Sequence, residues 1–160
     1  MIKLNDVFKL IVSLILCQLA GIIGSFFTRP AIPTWYQTLN KPNFTPPNWL
    51  FGPVWISLYI LMGLSLFLIW RKKPQNGRIN SAFAIFFIQL ILNAFWSIAF
   101  FGFRSPLFGL VIIILLWIGL LLTIIQFARL SFAASVLLWP YFLWVNFASL
   151  LNFSIWLLNR

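Results

Sequence analysis

Residues 107–127 read LFGLVIIILLWIGLLLTIIQF, 21 residues without one charged side chain. At a rise of about 1.5 Å per residue, a helix of that length crosses a hydrocarbon core about 30 Å thick. Four more runs of the same style surround it, at 10–27, 49–70, 81–101 and 133–158. A chain in lipid has to satisfy its own backbone N–H and C=O groups. The expectation is therefore an all-α, multi-pass integral membrane protein, one five-helix transmembrane domain over residues 1–160. A membrane barrel would need period-two alternation, which is absent.

The breaks between the runs hold the charges and the helix breakers: 29–47, 71–78, 102–106 and 129–131. Only the first is long, so a long aromatic loop is expected between helices 1 and 2. Counting cations on alternate sides sets Lys3, Lys9, Arg71, Lys72, Lys73, Arg78 and Arg129 against Arg29, Lys41, Arg104 and Arg160. Seven against four places the N-terminus in the cytoplasm if the host is a bacterial inner membrane.

Lys3 and Lys9 ahead of an apolar run to Ala20 and Gly21 have the outline of a secretory signal. No A-x-A site follows and the later spans continue the same style, so the run is read as the first span. Leu16, not a small residue, precedes Cys17, which argues against a lipoprotein site. Ser13, Cys17, Gly21, Gly24 and Thr28 recur every three or four residues, a stripe where another helix can approach closely.

With 62% hydrophobic and 8% charged residues, the chain has too little polar surface for a water-soluble domain. The net charge of +10 is spread along the chain or clustered beside an apolar span, which fits a membrane surface and not nucleic acid. There is no histidine, one carboxylate side chain (Asp6) and one cysteine (Cys17). Hydrolase triads are excluded, no intrachain disulfide can form, and no metal or haem-iron site of conventional ligands is expected. What remains is an aromatic interior with a few amides, suited to a large, flat, apolar ligand.

Three helical faces are candidates to line such a cavity. They are Trp55, Tyr59 and Met62; Phe86, Gln89, Asn93, Trp96 and Phe100; and Tyr141, Trp144, Ala148, Asn152 and Ile155, with Pro140 expected to kink the last helix above them. Amides are costly against lipid, so Gln89, Asn93, Asn146 and Asn152 should face protein or a cavity. The plainer reading makes these amides interhelical hydrogen bonds and makes Trp70, Trp117, Trp139 and Trp156 an interfacial belt. Pro46 and Pro47 shape the loop and start the second helix.

The stretch WYQTLNKPNFTPPNWLFGPVW, residues 35–55, is too aromatic for a solvent linker and too rich in proline for a helix. Its Trp35, Tyr36, Leu39, Lys41, Pro42, Pro46, Pro47, Phe51, Pro53, Val54 and Trp55 resemble the first loop of the translocator protein family, also called tryptophan-rich sensory proteins or peripheral-type benzodiazepine receptors. Pro140, Tyr141, Trp144, Phe147, Ala148, Leu151, Asn152, Ile155 and Trp156 resemble that family's last helix, and Asn93 with Trp96 its third. The resemblance implies a five-helix protein that binds tetrapyrroles such as protoporphyrin IX or haem, along with benzodiazepine-type and isoquinoline ligands and, in animals, cholesterol. The role implied is that of a receptor, sensor or carrier, with homodimerisation expected and no required cofactor.

The resemblance also implies a cavity capped by the first loop, with Trp35, Tyr36, Trp55, Asn93, Trp96, Trp144, Ala148 and Leu151 on the ligand. Lys41 and Arg29 are either ordinary interfacial charges or, above the mouth of such a cavity, partners for an anionic ligand edge such as a porphyrin propionate. Some bacterial members resemble slow photo-oxidative porphyrin degraders, and their two cavity tryptophans match Trp55 and Trp144, the catalytic candidates under that alternative. Porphyrin or lipid transport is a third reading, against which stand the missing inverted repeat and the lack of intramembrane charge. The chain departs from the family's sterol motif, with Phe153 and Leu157 where Tyr and a basic residue are wanted, so cholesterol recognition is not expected. Asn43 and Phe44 replace a common Ser and Trp in the loop.

Overall fold

The computed structural model describes residues 4–72 and 77–160; Lys3 and Lys73 of the charge count lie outside them. Five helical spans are long and apolar enough to cross a membrane: Leu4–Tyr36, Asn48–Trp70, Ile79–Gly102, Pro106–Leu130 and Phe132–Leu158.

The first span departs most from expectation. Helix α1 (Leu4–Ala31) starts six residues before 10 and does not stop at 27; a π-helical turn, Ile32–Tyr36, carries it on. Trp35 and Tyr36 therefore stand on a helix, and the connecting loop shrinks to 39–47. In water, Pro30 and Pro33 would end a helix, because each removes a donor. In lipid an abandoned carbonyl is expensive, so the backbone re-pairs through the wider turn instead. The Thr34 hydroxyl helps by donating to the Pro30 carbonyl at 2.8 Å.

Pro47 caps α2 (Asn48–Trp70), whose limits lie within a residue of the expected 49–70. Helix α3 (Arg78–Ser97) runs into a second π turn, Ile98–Gly102. Helix α4 (Pro106–Leu130) begins at Ser105, whose side chain accepts from the Phe108 N–H. The last span is broken rather than kinked, into α5 (Phe132–Val136) and α6 (Trp139–Leu158). Pro140 sits in the first turn of α6, where its missing N–H leaves no carbonyl stranded.

The helices form a ring. α1 packs on α2 and α3, α3 on α4, α4 on α5 and α6, and α5 closes back on α2, while α2 and α6 keep their backbones apart and meet through large aromatic side chains. The small-residue stripe of α1 is used inside this ring: Ser13, Cys17 and Gly24 are buried. Outward faces carry Ile88, Ile91, Ile114, Ile118, Leu143 and Leu150, exposed in the chain and suited to lipid. Gln89, Asn93 and Asn152 are buried, as expected. Asn146 is not: it lies on an exposed face, where its Oδ1 accepts from the Trp117 indole at 3.0 Å and its amide donates to the Phe142 carbonyl at 2.7 Å. Both halves of the amide are paired, which makes a lipid-facing position tolerable.

Candidate functional site

At the Trp35 end of the bundle the two π turns meet. Trp35 packs edge-on against Phe100 with ring centroids 5.5 Å apart, and Tyr36 lies 5.7 Å from Phe101. A π turn rotates the residues after it relative to an α-helix, and here both turns aim aromatic rings inward. Beneath them Trp55 stacks on Tyr59 at 5.6 Å and meets Trp96, Tyr141 and Trp144 at 6.2–6.4 Å.

Polar atoms in this cluster are mostly paired across helices. The Tyr59 hydroxyl donates to Asn93 Oδ1, and the Asn93 amide donates to the Tyr141 hydroxyl, joining α2, α3 and α6. Trp96 Nε1 donates to Asn152 Oδ1 at 3.0 Å, and Asn152 donates to the Pro106 carbonyl at 2.7 Å. The buried Trp144 Nε1 has no partner.

Two spaces open beside the cluster. One is a void of about 30 Å³, roughly the volume of one water, bordered by Trp144, Ala148, Leu151, Asn152 and Ile155. The other is a cavity of about 840 Å³ between α1, the first half of α2 and the end of α3. That size belongs to small-molecule sites. A partition of five rings, Tyr36, Phe51, Trp55, Trp96 and Phe101, borders both. The cavity is completed by an α1 face of Gln18, Gly21, Ile22, Gly24 and Ser25, with Arg29, Asn48 and Trp49 toward the loop.

The structure thus divides the residues singled out from sequence. Tyr36, Trp55 and Trp96 line the large cavity, while Trp144, Ala148 and Leu151 border only the small void. Asn93 acts one step back, through Tyr59, and Trp35 packs behind Phe100 and Phe101. Lys41 borders neither space: its ammonium donates to the carbonyls of Tyr36 (2.8 Å), Leu39 (3.0 Å) and Gln37 (3.4 Å) and lies 4.9 Å over the Tyr36 ring. It caps the end of the first helical span, where a cation meets the negative end of the dipole.

The α1 face was missed as a cavity wall. The one amide on that face is Gln18, inside the span, which donates to the Ile56 carbonyl at 3.2 Å. Gly21 and Gly24 were legible only as helix packing, because the same small residues that let helices approach also leave room where they part.

The chain belongs to the TspO/MBR family, whose model matches residues 13–157. It is 49% identical to the tryptophan-rich protein TspO of Archaeoglobus fulgidus over 154 residues, covering 96% of this chain and 99% of that one. Identity to TspO of Chlorobaculum tepidum is also 49%, over 90% of this chain and 91% of the relative. The human translocator protein is 35% identical over 87% of this chain and 83% of its own. Membership of this family and the five apolar spans make the chain an integral multi-pass membrane protein.

Proposed function

We propose that this protein is a membrane-embedded receptor, sensor or carrier that binds tetrapyrroles such as protoporphyrin IX, and related flat hydrophobic molecules, in the cavity between α1, α2 and α3. The observation that carries the reading is the cavity itself: about 840 Å³, walled by aromatic rings within the membrane-spanning helices. Aromatic faces stack on a flat conjugated ring, and apolar burial contributes roughly 25 cal/mol per Å² before ordering costs are subtracted. The lining offers the phenols of Tyr36 and Tyr59 but no imidazole, thiol or thioether. The Tyr59 hydroxyl is already committed to Asn93, which leaves Tyr36 as the one phenol of the lining free to meet a haem iron, and the rest of the wall acts on the macrocycle. The names of the relatives, sensory protein and translocator, support a signalling or carrier role.

The test is a titration of detergent-purified protein with protoporphyrin IX in the dark, followed by tryptophan fluorescence. Saturable quenching with an unchanged Soret band is the expected result; quenching that rises without saturation would remove the tetrapyrrole reading. One geometric feature favours a second reading, light- and oxygen-dependent porphyrin breakdown. Trp55 and Trp144 contact each other at 6.4 Å across the partition, so an electron lost from one indole is within reach of the other. Under that reading, illumination bleaches the Soret band in the native protein and not in Trp55→Phe or Trp144→Phe.

A further inference from the structure

The large cavity is mostly apolar and aromatic, its polar lining of Gln18, Ser25, Thr28, Asn48 and Ser97 is uncharged, and Arg29 at the loop end is its one charged residue. A guanidinium remains charged at any physiological pH and presents five donors in a plane. Nothing with a side-chain carboxylate is available to it. The sequence has a single acidic residue, Asp6, which begins the same helix some 23 residues away, about 34 Å at 1.5 Å per residue. Asp6 is paired at that far end with Arg71, 3.5 Å away, the one ion pair among the described residues. Of the two cations expected at the cavity mouth, Lys41 is committed to three backbone carbonyls and Arg29 is not. The first turn of α2, with Asn48 and Trp49, faces the same end of the cavity, and its cap, Pro47, supplies no side-chain acceptor. The positive end of a helix dipole therefore adds to the field of Arg29.

An apolar, aromatic chamber with one unneutralised cation at its rim discriminates by charge at that rim. A ligand with a flat apolar body and an anionic edge satisfies both parts, whereas a neutral ligand offers the exposed guanidinium no charged partner. We propose that Arg29 is the anion-recognising residue of this cavity, which therefore takes amphiphilic carboxylic acids in preference to their esters. Bound this way, the acid end sits beside Arg29 near the loop, and the apolar body reaches inward toward Trp55 and Trp96. The inference rests on the cavity being the ligand site and extends to acids other than tetrapyrroles.

The experiment compares two probe pairs, protoporphyrin IX with its dimethyl ester and 1-pyrenebutyric acid with its methyl ester, in native protein and Arg29→Gln, in phosphatidylcholine nanodiscs in the dark. The native protein is expected to bind each acid about threefold or more tightly than its ester. Arg29→Gln should abolish that preference while leaving ester affinity unchanged, and Arg29→Lys should recover part of it. Equal binding of acid and ester by the native protein, or an equal loss of both in Arg29→Gln, would overturn the proposal. If only the pyrene pair binds with Arg29-dependent preference, this inference stands and the tetrapyrrole reading fails. If neither pair shows that preference, this inference fails. Disappearance of the preference when phosphatidylglycerol replaces phosphatidylcholine would assign Arg29 to lipid headgroups and also overturn it.

Discussion

A methyl group on Gly21 would fall on the ring of Tyr59, 2.7 Å from its Cδ2. The ring has little freedom to yield, because Trp55 stacks on one side of it and its hydroxyl is tied to Asn93. Gly21→Ala is expected to destabilise the protein by about 1–3 kcal/mol, the usual effect of overpacking. Gly52→Ala is the control: nothing lies within 4 Å of its added Cβ. Thermal denaturation in detergent should show a lowered midpoint for the first and none for the second.

The Tyr59–Asn93–Tyr141 chain predicts a rescue. Asn93→Leu strands two buried phenols, at about 1–3 kcal/mol each. Adding Tyr59→Phe and Tyr141→Phe removes the stranded groups, so the triple variant should be more stable than Asn93→Leu alone. A triple variant that is weaker still would show that the network contributes through packing and not through hydrogen bonds.

Gln89 is completely buried and neither end of its amide has a partner. Gln89→Leu keeps the volume and removes the unpaired polar atoms, so stability should rise by about 1–3 kcal/mol. A fall measured in the same denaturation assay would point to a partner for this amide that forms only in the membrane.

Lys41→Met removes the ammonium that gathers three carbonyls at the end of the first span. A loss of about 1 kcal/mol is expected, concentrated locally. Hydrogen exchange should quicken at residues 37–47 while the acid-over-ester preference stays as in the native protein. A changed preference would return Lys41 to the ligand.

Much of this was legible from sequence where one physical rule acted alone. Hydropathy located α2 to within a residue, and the spacing of Phe86, Gln89, Asn93 and Phe100 identified a buried face. Expectation failed where two rules competed. Pro30 and Pro33 signal an end to a helix, but the bilayer's demand for paired backbone outweighs them and a π turn is the result. In the last span the chain breaks at Leu137 and Leu138, which puts Pro140 into a first turn where it strains nothing. The role of Lys41 was beyond reach, because capping of carbonyls by a side chain two to five residues on leaves no mark in spacing. For the same reason the site shifted: helix 1 contributes a wall that its glycines did not announce.

The loop that follows Tyr36 is fastened at a distance. Asn159 Oδ1 accepts from the backbone N–H of Asn40 at 2.9 Å, and its amide donates back to the Asn40 carbonyl at 2.9 Å, joining residues 119 positions apart. During synthesis, therefore, Asn40 leaves the ribosome long before its fastener exists. Until α6 has been inserted and Asn159 has emerged, the loop at 39–47 has no anchor at this point, so a nascent protein with four spans in place still has this loop untethered there. Ordering of this loop is thereby linked to completion of the last helix, and hydrogen exchange at residues 39–47 should be faster in Asn159→Ala than in the native protein.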